Sequence, residues 1–419
     1  MKKMVWTAVF AALAALTLRG QPAPAGGDAQ KLFPAFRMQE LETGLGVGYA
    51  VLLVDVNGDG KKDIVVVDQT RVIWFENPTW KKRTIIQGGT RPDNVCIDAY
   101  DIDGDGQVDF ALGADWKPFN TTSGGTIQWL KRGKTLDEPW TIYPIDSEPT
   151  VHRIRFIELE GNGKPALVSV PLMGRGATAK NNWTDGTPVR VTAYRIPKDP
   201  TKDRWQPAVL DESLHVCHNF CAAPGLTRRA TGNNVLIASY EGVSLLSLDG
   251  GKWSRSLIGA GNQGTPQGKR GASEVKQGRL KGGLVFATIE PWHGDQVIIY
   301  TQPTDAGKLW NRHVIDEQLR WGHAVWFADL DGDGNDELII GVRDDPGKGE
   351  TFKERRGVRI YKALDDKGMK WARHIVDSGG VAVEDLAAAD LDGDGRIDLV
   401  AVGRQTHNVR IYWNEGVKK

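Results

Sequence analysis

The sequence predicts an all-β fold, a seven-bladed β-propeller of four-stranded antiparallel blades whose last blade is closed by an N-terminal strand. Three observations predict it. An acidic, glycine-rich loop between short apolar runs recurs in VDVNGDGKKDIVVV from Val54, YDIDGDGQVDFALG from Tyr100, ADLDGDGNDELIIG from Ala328 and ADLDGDGRIDLVAV from Ala389, with a worn copy, IELEGNGKPALVSV, from Ile157. A tryptophan-led strand recurs out of phase with it, at Trp80, Trp140, Trp205, Trp253, Trp310 and Trp371. Alternating runs such as RVIWFEN, TIQWLKR and VRIYKA lie between the two signals. A unit of strand, acidic loop, strand, loop, strand, turn and tryptophan-led strand, repeating every roughly 50–60 residues, is a propeller blade rather than a solenoid turn.

The chain opens on Met1-Lys2-Lys3, an apolar stretch from Met4 to Leu18, and Ala23-Pro24-Ala25. This is the pattern of a secretory signal peptide over residues 1–25, so a secreted or periplasmic protein is expected, with no membrane anchor after cleavage. The propeller is then expected to take residues 33–419 as a single domain, because no linker or low-complexity segment divides them. First strands fall near Tyr49, Asn94, His152, His218, Glu274, His323 and Glu384, which makes seven, but only six tryptophan-led strands follow them. Phe36 to Leu41 (FRMQEL) has the pattern of the missing strand. Its return to the last blade removes the open sheet edges.

Composition narrows the function. The 419 residues include 50 glycines and 15 tryptophans, as a turn-rich β fold needs. Lysine plus arginine equals aspartate plus glutamate at 53 each, so no net field favours nucleic acid or a membrane surface. The three cysteines, Cys96, Cys217 and Cys221, are too few for a disulfide framework; small buried thiols are expected, with a Cys217–Cys221 pair as the alternative.

Carboxylates at loop positions one, three, five and nine are what a hard cation needs, and calcium completes its six to eight oxygens with carbonyl and water. The candidate structural calcium ligands are Asp55, Asn57, Asp59 and Asp63; Asp101, Asp103, Asp105 and Asp109; Asp329, Asp331, Asp333 and Glu337; and Asp390, Asp392, Asp394 and Asp398. The alternative is an acidic surface turn without metal. The worn copy has Ala166 at its ninth position and is expected to bind nothing.

Six residues before the first loop carboxylate the copies diverge in chemistry, as Tyr49, His152, His323 and Glu384. The second blade puts Asp93 or Asn94 near the same place, and the loopless fourth and fifth blades put His218 and Glu274 there. First strands line a propeller's channel, so these side chains are expected to meet at the mouth opposite the acidic loops, with Asp385 beside them. Loops after the second strands return to that face with Asp115 and Trp116, Tyr240, Glu290, Trp292 and His293, Arg343 and Asp344, and Arg404 and His407. A lone histidine is usually a hydrogen-bonded structural residue, but a convergent ring of titratable groups marks a site. Histidines with two or three carboxylates can also hold a second divalent metal such as zinc, manganese or magnesium, and metal-free acid–base catalysis fits the same groups. Trp116, Trp183 and Trp292 offer faces for a sugar ring.

The acidic loops resemble the FG-GAP or VCBS repeat family, in which such loops join the first two strands of propeller blades and the metals are structural. EVKQGRL from Glu274, EPWHGDQVIIY from Glu290 and WGHAVWFADLDGDG from Trp321 are similar to the propeller domain of aldos-2-ulose dehydratases and related secreted proteins. That resemblance implies a lyase removing water or an alcohol from a keto-sugar. The fungal enzyme's cupin domains do not follow the propeller here, so isomerisation attributed to them is not expected. Such an elimination needs a base, an oxyanion stabiliser and an acid. His152, His218 or His323 are the expected bases or metal ligands, Glu274, Glu290 and Glu384 ligands or acid, and Arg343 and His293 the oxyanion partners. Tyr49, Asp93, Asn94, Asp115, Trp116, Tyr240, Trp292, Asp344, Asp385 and Arg404 are expected to line the carbohydrate site. A non-catalytic propeller binding a glycan or protein at the same mouth is the competing reading.

Overall fold

The computed structural model describes residues 32–226, 232–264, 270–343 and 356–418; the leader segment and Asp344 lie outside them. The described strands form seven sheets of four, each with its strands in sequence order except the last, which takes its outer strand from the N-terminal end. Phe36–Glu42 pairs antiparallel with Val409–Asn414, with Phe36 opposite Asn414. The ring is therefore closed as the strand count requires.

Blade 1 shows why these sequences form these strands. Its second strand, Asp63–Asp68 (DIVVVD), is buried at every position because neighbouring blades cover both faces. β-Branched residues fit such a surface. Its fourth strand, Lys81–Gln87, is largely exposed and buries only Ile85 and Ile86, as an outer strand facing water does. Consecutive first strands touch one another around the whole ring, from Gly48–Val54 in blade 1 to Val383–Ala389 in blade 7. They are the channel wall.

The acidic loops hold themselves together through their own carboxylates. Asp63 accepts the Val56 N–H at 2.9 Å and the Asn77 N–H at 2.8 Å, so the ninth loop position ties the loop to the end of the third strand. Asp55 accepts the backbone N–H of Gly58 at 2.7 Å and of Gly60 at 2.8 Å. Both glycines have positive φ, 81° and 86°, which explains their place in the motif. Neighbouring loops are stitched across blades: the Asn77 amide donates to Leu391 O at 2.6 Å and the Asn414 amide to Leu330 O at 2.8 Å. All three cysteines are buried free thiols. No helix among the described residues is long and apolar enough to cross a membrane.

Candidate functional site

Local backbone irregularity aims the candidate side chains. The first strands slip register between Gly48 and Ala50, Val151 and Arg153, Gly322 and Ala324, and Val383 and Asp385. The residues inside those slips are Tyr49, His152, His323 and Glu384. A bulge breaks the alternation of a strand and re-aims one side chain. Two residues ahead of His152, His218 and His323, the backbone is left-handed at Thr150 (φ 59°), Val216 (φ 47°) and Trp321 (φ 53°). None of these is glycine, and each costs on the order of 1–2 kcal/mol there. Such outliers persist where the surroundings over-determine them.

The result is a cluster of four imidazoles. His218 lies 4.6 Å, ring centre to ring centre, from both His152 and His293, and 5.0 Å from His323. His293 and His323 are 5.1 Å apart. The Nδ1 atoms of three rings are held from outside. His152 Nδ1–H donates to His218 O at 2.9 Å, His323 Nδ1–H to Glu384 O at 2.5 Å, and His218 Nδ1–H to Glu274 Oε1 at 2.6 Å. Each neutral ring therefore keeps its Nε2 lone pair for the interior. Asn219 donates its amide to the other Glu274 oxygen. His293, the most accessible of the four, brings its Nε2 to 2.9 Å from His218 Nε2.

Charge surrounds this cluster. Glu384 Oε2 accepts Arg343 Nη1–H at 2.8 Å, its Oε1 accepts Arg404 Nη1–H at 2.9 Å, and His323 Nε2 lies 3.8 Å away. Burial works to raise the Glu384 carboxyl, but Arg343 and Arg404 hold it below the usual carboxylate range. Burial, and then neighbouring guanidiniums and imidazoles, holds His152, His293 and His323 well below the ordinary histidine range. His218 is lowered by burial as well, with Glu274 pulling the other way. Burial raises the Tyr49 hydroxyl against the pull of Arg404, whose guanidinium lies 4.9 Å over the ring.

Aromatic rings frame the opening. Trp116 lies 5.1 Å from His152, Trp292 5.0 Å and Trp321 4.9 Å from His293, and Arg343 sits 4.7 Å over Trp321. Tyr240, Trp183 and Trp292 pack against the buried cluster that contains Trp116. The Arg343 Nε and Trp292 Nε1 atoms are buried and have no hydrogen-bond partner among the described residues.

The structure thus brings together His152, His218, Glu274, His293, His323, Arg343, Glu384, Arg404, Tyr49, Trp116 and Trp292. Other expected residues go elsewhere. Glu290 is fully buried, accepting Thr288 Oγ1–H, Tyr300 O–H and Arg312 Nε–H, each at 2.8 Å. It is held by the outer strands of blade 5, not by the imidazoles. Asn94 bonds Thr90 and Asp68 O, and Asp115 pairs with Lys117 at 3.2 Å and Arg91 at 3.7 Å. Asp385 accepts the Val51 N–H at 3.2 Å, joining blade 7 to blade 1 in the channel wall. Asp93 keeps one foot in the site, where its carboxylate adds to the upward shift of the Tyr49 hydroxyl. His407 Nδ1–H donates to Gly46 O at 2.8 Å and closes the seam between blades 7 and 1. Sequence spacing does not find Arg153, Asn219 or the side chain of Trp321, each of which stands one or two residues from a channel position. Arg153 Nη1–H donates to His152 O at 2.9 Å and comes within 3.4 Å of His152 Nε2.

Two groups of side chains fit metals. The ligand atoms of His218, His293 and His323 lie within 4.8 Å of one another, a nitrogen set suited to zinc, with carboxylate and carbonyl partners behind two of the rings. The same closeness holds for Asp101, Asp103 and Asp109, for Asp329, Asp331 and Asp333, and for Asp390, Asp392 and Asp398. These oxygen sets suit calcium. In blade 6 the first strand, Gly322–Ala328, runs between the two kinds of site and separates them by roughly 20 Å.

Residues 124–303 match the family model of the aldos-2-ulose dehydratase β-propeller domain, and residues 55–112 match that of the FG-GAP-like repeat. Aldos-2-ulose dehydratase of Phanerodontia chrysosporium is 28% identical across an alignment 299 positions long that covers 67% of this chain and 32% of that protein. The chain therefore spans about a third of that relative. Among solved structures, a chain from BBS1N in complex with ARL6DN is 13% identical with a TM-score of 0.55, covering 93% of this chain and 99% of that one. A chain of the Mitotic Checkpoint Complex is 9% identical with a TM-score of 0.55, covering 96% and 99%. These two likenesses are of fold alone. The chain is a seven-bladed propeller with FG-GAP-like repeats, similar in sequence to the propeller domain of aldos-2-ulose dehydratase.

Proposed function

We propose that this chain is a secreted or periplasmic carbon–oxygen lyase that eliminates water or an alcohol from a keto-sugar, an aldosulose or 3-keto-glycoside, at the channel mouth. The observation that carries the reading is the buried group of neutral imidazoles whose Nδ1 atoms are tied outward, next to guanidiniums that answer developing negative charge. The distant likeness to a carbohydrate-acting dehydratase supports the substrate class.

In this reading His152 takes the proton made acidic by the adjacent carbonyl. Its Nδ1–H is fixed on His218 O, and its Nε2 has the 3.4 Å contact with Arg153. Burial keeps it neutral, the form a base needs. Arg343, with its unpaired buried Nε, stabilises the enolate oxygen. Glu384 stays ionised between two arginines, so it balances charge instead of giving a proton. Tyr49, kept protonated, is the hydroxyl donor for the leaving oxygen. His218, His293 and His323 would hold a divalent ion of the zinc type, which supplies polarisation of the carbonyl when bound. Calcium in the acidic loops is proposed as scaffold.

The test is release of an unsaturated ketone, read by ultraviolet absorbance, from aldosuloses and 3-keto-glycosides with and without EDTA. Product formation that disappears in His152→Gln supports the reading. If none of these sugars yields product, and His323→Ala leaves glycan binding intact, the protein is a binding propeller. Phe119 favours that second reading: it is 61% exposed, stacks on Trp183 at 5.5 Å and offers an aromatic face to solvent.

A further inference from the structure

The rim of the mouth is built unequally. The loops that follow the second strands are short in blades 1 and 4, Gln69–Thr70 and Tyr240–Glu241, but run over residues 115–125 in blade 2 and 172–188 in blade 3. Both long loops are fastened beside the imidazoles. Trp116 lies 5.1 Å from His152. Thr150, two residues ahead of His152, donates its hydroxyl to Met173 O at 2.9 Å and accepts the Met173 N–H at 3.1 Å. The two loops also hold each other: Thr121 Oγ1–H donates to Ala177 O at 2.9 Å, and Phe119 stacks on Trp183 with ring centres 5.5 Å apart and 20° between the planes.

Asp185 fixes the turn that carries Trp183, accepting the Thr178 N–H at 2.5 Å, the Thr178 Oγ1–H at 2.6 Å and the Asn181 amide at 2.8 Å. Phe119, Asn182 and Trp183 are left-handed, at φ 66°, 57° and 60°, a conformation that any residue with a Cβ resists. Trp183 packs inward against the cluster that holds Trp116. Phe119 is 61% exposed, the most exposed large apolar side chain among the described residues. A single exposed aromatic needs no explanation. A stacked pair kept in strained backbone by the hydrogen bonds around it, on the rim next to His152, is a platform held out for a ligand.

We propose that the Phe119–Trp183 pair is the subsite for the leaving sugar of a 3-keto-glycoside, so that the site prefers a keto-disaccharide to a keto-sugar without a second ring. The C–H face of a pyranose lies against the negative face of an aromatic ring. The imidazoles are buried at the bottom of the mouth, His218 at 1% and His323 at 2% exposure, so the ring that carries the ketone takes the depth and the ring linked to it reaches the rim. Phe119 stands three residues beyond Trp116, at most roughly 11 Å along the chain. In the elimination the base takes the C2 proton, its electron pair forms the C1–C2 double bond, and the C1–O bond breaks. The leaving oxygen takes a proton and departs as the hydroxyl of the second sugar.

The inference rests on the lyase reading. The 3-keto derivatives of cellobiose and maltose, with the ketone on the non-reducing ring, are compared with the methyl 3-keto-glucosides of the same configuration; each pair releases the same enone. The wild type is expected to favour the disaccharide in kcat/KM, and Phe119→Ala to lower that preference about tenfold while Phe119→Tyr keeps it. No preference in the wild type, or an unchanged preference in Phe119→Ala, overturns the proposal. If none of the four glycosides yields enone, the lyase reading fails, and calorimetric titration with cellobiose and maltose then decides the platform alone. Binding that Phe119→Ala removes keeps it as a sugar subsite, and no binding to the wild type overturns it as well.

Discussion

Replacing Glu274 by glutamine changes one atom's chemistry at 2% exposure and should disable the site. The carboxylate has two acceptor oxygens and two donors to satisfy, His218 Nδ1–H at 2.6 Å and the Asn219 amide. A glutamine offers one acceptor and one donor. Asn219 cannot turn to help, because its Oδ1 already accepts Arg155 Nη2–H at 3.0 Å and Phe220 N–H at 2.8 Å. The glutamine oxygen must then face Asn219, and its NH2 must face His218. His218 answers by moving its proton from Nδ1 to Nε2, which removes the lone pair from the cluster's interior. A wrong tautomer of this kind costs roughly 10²–10⁴ in rate. If the ring stays as it was, a buried donor is left unpaired at about 1–3 kcal/mol. The assay is enone release with the best keto-sugar, alongside nitrogen-15 NMR of the imidazoles. A Glu274→Gln protein within about threefold of wild-type kcat, its His218 proton still on Nδ1, would refute the argument.

Three further outcomes follow from the same geometry. Metal-free protein should lose stability below about pH 6.5: there the unfolded chain takes up protons that the buried imidazoles of His152, His293 and His323 refuse, and each such histidine adds about 1.4 kcal/mol per pH unit. Urea unfolding at about pH 7.5 and about pH 5.5, on either side of the free histidine value, checks this, and equal midpoints contradict it. Arg343→Met leaves Glu384 with Arg404 alone, so stability should fall by about 1–3 kcal/mol and kcat by roughly 10²-fold, measured by calorimetry and enone release. Glu290→Gln should lower stability by about 2 kcal/mol through its three lost or weakened acceptor bonds yet keep kcat within about twofold; a large kcat loss would return Glu290 to the site.

Counting back from the acidic loop locates Tyr49, His152, His323 and Glu384 because their bulges fall at one depth in four blades, so equal spacing in sequence means equal height in the channel. Glu290 misleads for the opposite reason. It ends a second strand, Gly283–Glu290, just before the loop that delivers His293, but its carboxylate turns to Tyr300 and Arg312 on the strands outside it. Sequence adjacency to a site residue says nothing about which side of a pleated strand a carboxylate takes. Arg153 is hidden by the alternation rule itself, since the neighbour of a channel residue should point away unless a bulge intervenes.

The two ends of the first strand in blades 3, 4 and 6 meet the same backbone demand in different ways. At the loop end a left-handed residue is needed, and glycine supplies it, at Gly332 and Gly334 in blade 6. At the mouth Thr150, Val216 and Trp321 adopt the left-handed conformation with full side chains, at a combined cost of about 3–6 kcal/mol. That is a large fraction of the roughly 5–15 kcal/mol by which a typical domain is stable. Glycine would remove the cost but also what the side chains hold: Trp321 stacks on His293 at 4.9 Å and lies 4.7 Å beneath Arg343, and Thr150 Oγ1–H donates to Met173 O at 2.9 Å. Backbone stability alone would select glycine at both ends. Strain retained where the imidazoles converge argues that the mouth is built for its chemistry, and that the louder acidic motif at the other end is built to hold it still.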